Sequence, residues 1–180
     1  MRKRKRSASL PNLYHLLLRE LTRAGVEYIV IGVSGINYFA KDARQILSTS
    51  DYDLFLKPTP DNVVRAWKAF RKGGFAVVIR EGDHTRALRR ASLRIGRRLI
   101  QEGRTLIAVG PYNLMAEGLV AVSGFTFDQL KKHAVLHRDG KLRFGFWVGS
   151  LKDLLESKRV ADRDKDRLFL ARYRRLLMGD

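Results

Sequence analysis

Apolar residues recur along this chain with two alternating periods. In "LPNLYHLLLRELTRAG", residues 10–25, Leu13, Leu16, Leu17 and Leu21 share one helical face, and Gly25 follows as a stop. "VEYIVIGV" (26–33) is a short run rich in β-branched residues, the pattern of a buried strand. It breaks at "GVSG", and "INYFAKDA" (36–43) predicts a short helix. "DYDLFL" (51–56) predicts a second strand. "TPDNVVRAWKAFRKGG" (59–74) predicts a helix, with Pro60 near its start, Asp61 in its first turn and Gly73 after its end. "FAVVIR" (75–80) predicts a third strand. "SLRIGRRLIQEGRTLIAVG" (92–110) reads as two strands joined around Glu102 and Gly103, its first half being compatible with helix as well. Beyond it come a strand in "LMAEGLVAV" (114–122), a short helix in "TFDQLKKHAV" (126–135) and a strand in "LRFGFWVG" (142–149). Ser150 then caps a helical segment, 151–177, that bends or breaks near Asp162.

This succession predicts an α/β (α+β) fold, a mixed sheet flanked by helices, with C-terminal helices over 150–180. No repeat, low-complexity tract or long linker interrupts it, so 10–180 is expected to form one domain behind a basic, disordered tail over 1–9.

Composition changes the picture in two ways. There is no cysteine, which excludes disulfides and thiolate zinc sites and suits a reducing, cytoplasmic setting. No apolar run reaches the ~20 residues of a membrane helix. The start of the chain is basic, but its apolar stretch is broken by His15 and runs into Arg19 and Glu20, so neither a signal peptide nor a membrane partner is expected. Charge matters more: 36 Lys and Arg against 18 Asp and Glu leave a formal +18. The excess gathers in three places, residues 2–6, 86–104 and 158–175. Such clustering suits a polyanion, with Arg94, Arg97, Arg98 and Arg104 as nucleic-acid-binding candidates, although a merely well-solvated surface is the competing reading.

Against that background the acids stand out. Asp51 and Asp53 are two apart at the head of a strand, so their side chains project to one face, where like charges repel. Glu117 is a lone acid in an apolar run, costly to bury without a partner; the alternative is a bulge at Glu117-Gly118 with the carboxylate in water. "GVSG" leads from strand to helix, where backbone N–H groups favour anions; Gly32 allows close approach and the Ser34 hydroxyl can donate to a phosphate, with Ser34-Gly35 as the working pair. On the last segment Lys158, Asp162 and Asp166 fall roughly on one helical face, or else "DRDKDR" is a solvated stretch laced by ion pairs. His133 and His137, four apart without a further ligand nearby, read as surface residues.

Strand, glycine-bearing turn, short helix and a strand opening with Asp-x-Asp: in this order the elements resemble the nucleotidyltransferase superfamily. The likeness is to its bacterial toxin–antitoxin and abortive-infection (AbiEii-like) branch, through "TSDYD" (49–53), "VSGFTFDQL" (122–130) and the closing Lys158, Arg163, Lys165 and Asp166. Val33 departs from the Gly or Ser usual after the first glycine, and the spacing from the turn to Asp51 is longer than typical. The resemblance implies Mg2+ or Mn2+ on Asp51 and Asp53, hard cations that prefer oxygen ligands. Glu117 falls near the place where relatives carry a third carboxylate, an aspartate. Gly32, Ser34, Gly35, Lys158, Arg163, Lys165 and Asp166 would then serve the nucleoside triphosphate. The implied activity is transfer of NMP from an NTP, ATP among the candidates, to an RNA, tRNA first among the acceptors, within a toxin–antitoxin or phage-defence pair that includes an antitoxin or operon partner. Two alternatives remain open: an inactive relative that binds nucleic acid, and a transferase that modifies a protein partner.

Overall fold

The computed structural model describes residues 12–81 and 84–178; the tail expected over 1–9 lies outside them. In chain order the elements are α1 (Leu13–Arg23), β1 (Tyr28–Val30), α2 (Gly32–Ile36), β2 (Tyr52–Leu56), α3 (Pro60–Lys72), β3 (Ala76–Glu81), β4 (His84–Ala87) and α4 (Leu93–Gln101). They continue with β5 (Leu106–Val109), β6 (Met115–Leu119), α5 (Phe127–His133), β7 (Val135–Asp139), β8 (Phe144–Val148), α6 (Leu151–Ala161) and α7 (Asp164–Met178). The strands form one mixed sheet in the order β4-β3-β5-β6-β2-β1-β8-β7, with β2–β6 and β1–β8 parallel and the other neighbours antiparallel. The α/β class expected from the succession of periods is therefore the one found.

The central strands are apolar on both faces, and this decides which helix goes where. Tyr28, Val30, Leu54 and Leu56 point into a core shared with Leu18 and Leu21 of α1, Phe70 of α3 and Leu99 of α4. The alternate residues Ile29 and Phe55 point the other way, into a second core with Ile36 of α2, Leu130 of α5, Leu154 of α6 and Leu177 of α7. Asp53 alternates with Tyr52 and Leu54, so it projects on this second side. On the first side the Tyr52 hydroxyl lies 2.5 Å from that of Tyr38, which lies 2.7 Å from His15 Nε2, and His15 Nδ1 is 2.7 Å from Asp139 Oδ2. That chain of polar contacts ties β2 to α1 and to the β7–β8 hairpin. Among the described residues no helix is long and apolar enough to cross a membrane.

Several boundaries differ from the periodic reading. Residues 93–101 form a helix rather than a strand: the Ser92 hydroxyl accepts from Ile95 N, and Leu99 is buried while Gly96 sits directly on the backbone of Pro60 at the start of α3. "GVSG" is not a turn before a helix but most of α2 itself, continued by a single 3-10 turn at Asn37–Phe39. β4 and β7 were not foreseen. The chain does break where expected: Asp162 adopts a left-handed φ of 46° between α6 and α7, and Ser150 caps α6 by accepting from Asp153 N. His133 and His137 lie on different elements. His133 ends α5 beside Asp153, whereas His137, on β7, is half-buried among Tyr38, Phe39 and Phe146, because the strand turns it toward the sheet's aromatic cluster.

Candidate metal centre

β2 and β6 run parallel with Asp53 directly opposite Glu117, and Asp51 lies two residues upstream on the same side. An oxygen from each of the three carboxylates lies within 4.8 Å of the others. The ends of the strands are held firmly: Ile31 N donates to Asp53 O at 3.0 Å, and the Thr49 hydroxyl donates to Asp51 Oδ1 at 2.8 Å. Glu117 is buried, with 8 % of its surface exposed, and Asp51 and Asp53 are half-buried. Crowding has an electrostatic signature. Burial, then the charges of Asp51 and Glu117, push the Asp53 carboxyl up to about 7 against the pull of Lys158 and Lys165. A donor set of three carboxylates without nitrogen or sulfur suits a hard divalent cation such as Mg2+ or Mn2+, which would cancel that repulsion.

Gly32 lies immediately behind Asp53. Its φ is +64°, and a Cβ there would overlap the Asp53 carboxylate. Gly32→Ala is therefore expected to cost roughly 1–2 kcal/mol for the left-handed backbone alone, and more for the overlap. Thermal unfolding should show the loss, and a Mn2+ titration should show weaker binding as Asp53 is displaced; unchanged Mn2+ affinity would mean that the carboxylate is not held against this glycine.

The carboxylates open onto a cleft of about 710 Å³ whose far wall is the α6–α7 corner. Asp166 organises that wall. It is 1 % exposed, and accepts from Lys158 Nζ at 3.2 Å and Arg163 Nε at 2.5 Å. Burial opposes its charge, but those two cations hold its carboxyl below the usual range. Lys158 and Asp166 meet because the helix breaks at Asp162, not because they share one continuous helical face. Asp166 thus acts by fixing cations, its own oxygens being occupied by them. Lys165 also lines the cleft, exposed and with no hydrogen bond or ion pair among the described residues. The outer turns of "DRDKDR" do form the ion pairs of a solvated stretch, Arg167 with Asp162 and with Asp164.

The structure brings together Asp51, Asp53, Glu117, Gly32, Lys158, Arg163, Lys165 and Asp166, but not the remaining candidates. Ser34 is buried; its hydroxyl donates to Ile31 O and accepts from Asp53 N, so it braces the strand that carries Asp53 rather than facing the cleft. Gly35 packs beneath Leu154 and the Val30 carbonyl. Arg94, Arg97 and Arg98 stand on α4, which packs on α3 over the opposite face of the sheet, and Arg104 follows α4 with its guanidinium on Glu102. None of the four lines the cleft.

One cleft residue escaped the sequence reading. Arg80, near the end of β3, reaches past β5 to place Nη2 2.9 Å from Glu117 Oε1. The signal was there: an arginine in line with Ala76 and Val78 on one face of β3 marks a polar spot on that face. Glu117 is thus partnered as the cost of burying it demands, but by a guanidinium. No protein-family model matches the chain, and neither does any curated protein or solved structure.

Proposed function

We propose that this protein is a metal-dependent nucleotidyltransferase that moves NMP from a nucleoside triphosphate to an RNA acceptor, with tRNA as the leading candidate and a toxin or defence pair as its setting. The observation that carries the reading is the convergence of three carboxylates, from two adjacent parallel strands, on a cleft whose opposite wall is cationic. Asp51, Asp53 and Glu117 would hold Mg2+ or Mn2+, which when bound supplies charge neutralisation for the attacking and leaving oxygens. Lys158 and Arg163, fixed by Asp166, and the exposed Lys165 attract and orient the triphosphate. In the transfer a bond forms between an acceptor oxygen and the α-phosphorus, the bond to the bridging oxygen breaks, pyrophosphate leaves, and the acceptor proton passes to a carboxylate of the triad. The +18 charge favours a phosphate-rich acceptor over a cationic small molecule.

A second reading has an observation of its own. With the Ser34 hydroxyl committed to the backbone, a triphosphate loses one expected donor, which favours a catalytically inactive nucleic-acid-binding relative. The experiment is incubation with each labelled NTP, Mg2+ or Mn2+, and total tRNA or the proteins encoded beside it. Label in tRNA supports the first reading, label in protein supports transfer to a partner, and tight tRNA binding without label supports the inactive relative.

A further inference from the structure

Arg80 presents a puzzle of charge. It is a cation placed 2.9 Å from a carboxylate that, in the proposed reading, must also hold a divalent cation. Three features decide how the two share Glu117. First, Glu117 is 8 % exposed, so without a metal ion its charge needs a partner, and among the described residues Arg80 is the one in contact. Second, the Arg80 side chain is 52 % exposed, and a pair with one partner in water is weak enough to open at little cost. Third, a doubly charged ion on Glu117 would repel a guanidinium on the same carboxylate.

The neighbours point to where the arm goes when it opens. Lys158 and Arg163 are already committed to Asp166 and gain nothing from metal binding. Arg80 alone among these three loses its carboxylate partner as the centre fills, and its planar fork matches phosphate oxygens in a way an ammonium does not. It also lines the same cleft as Lys165. We propose that Arg80 is a metal-responsive positioning residue: it neutralises Glu117 while the centre is empty, and turns to the triphosphate once a divalent cation displaces it. Cation binding and triphosphate binding are then coupled through one side chain. The inference rests on the triad being a divalent-cation site.

The test uses the full chain, with Arg80→Gln and Arg80→Lys beside wild type and Asp51→Asn, and far-ultraviolet circular dichroism to check folding. Mn2+ affinity is read from the free-ion electron paramagnetic resonance signal. Arg80→Gln is expected to bind Mn2+ about tenfold more tightly than wild type, the size of one positive charge repelling a divalent ion about 6 Å away in a water-like dielectric. The same variant, once loaded, is expected to bind manganese tripolyphosphate about tenfold more weakly in calorimetry, since a charged hydrogen-bonding fork has been lost. Arg80→Lys should recover part of the second effect. Weaker Mn2+ binding by Arg80→Gln would overturn the inference, because Arg80 would then be holding Glu117 in place as a ligand. Unchanged tripolyphosphate affinity would overturn it as well. If wild type and Asp51→Asn bind Mn2+ equally, the metal reading itself fails, an outcome distinct from either of these.

Discussion

If the protein is the transferase proposed above, replacing Asp51 and Asp53 together by asparagine is expected to lower nucleotidyl transfer at least about a thousandfold while leaving RNA binding intact. Each asparagine keeps a carbonyl oxygen in nearly the same place but removes a full negative charge, so the centre offers Glu117 alone to balance a doubly charged ion. A metal-assisted displacement draws several kcal/mol of transition-state stabilisation from that ion, and about 4 kcal/mol is already a factor of a thousand in rate. The cations that face a polyanion are untouched, and removing two acids beside Lys158 and Lys165 can only strengthen their attraction for phosphate. The fold should not suffer either, because the pair is a source of repulsion when no metal is bound. Single-turnover transfer, filter binding of tRNA and thermal unfolding on the same preparation separate the three effects. Transfer within tenfold of wild type would remove these aspartates from the chemistry; loss of transfer together with loss of folding would leave their role unproven by this variant and require the single substitutions.

Much of the centre could be read from one dimension because its parts obey local rules. The period of two puts Asp51 and Asp53 on one face, and an acid inside "LMAEGLV" signals a paired or metal-bound group. What could not be read depends on register between distant strands. Asp53 opposite Glu117, and Arg80 two strands further on, follow from β5 and β6 inserting between β3 and β2. The same limit hid the direction of the Ser34 hydroxyl, which is chosen by the strand beside it. It also hid which side of the sheet the α4 arginines occupy. There the local signal was itself divided: Leu93, Ile95, Leu99 and Ile100 satisfy both a strand and a helix, and the cap at Ser92 with the close packing of Gly96 on α3 settles it. β4 carried no apolar signal at all, because an edge strand whose four residues are all exposed has no face to bury.

The second large effect is on stability and depends on pH. In the folded chain the Asp53 carboxyl is pushed up to about 7, chiefly by burial and then by Asp51 and Glu117, from an ordinary value of 3.8. Between those two values the folded state holds a proton that the unfolded chain has released. Linkage then requires stability to fall as pH rises through this window, with the full penalty present above it. The shift corresponds to a ceiling of about 4 kcal/mol, reduced in practice because Asp53 is only half-buried and water reaches the cleft. Other groups slope differently. Asp166 and Asp139, held below their usual range, contribute stability that is lost only as pH falls below the ordinary carboxylate value. His137, lowered by burial, gives a contribution that rises with pH only below the ordinary imidazole value. Those terms are common to wild type and Asp53→Asn, so the difference between the two reports Asp53 together with its coupling to Asp51 and Glu117. Urea unfolding with a chelator at pH 5, 6, 7 and 8 should show wild type losing stability relative to Asp53→Asn across the series. Saturating Mg2+ should abolish the relative loss, because the cation takes over from the proton and stabilises the folded state by mass action. Parallel curves for the two proteins without metal would show that Asp53 sits in no electrostatic distress. The triad would then have lost the strain that a bound cation is proposed to relieve.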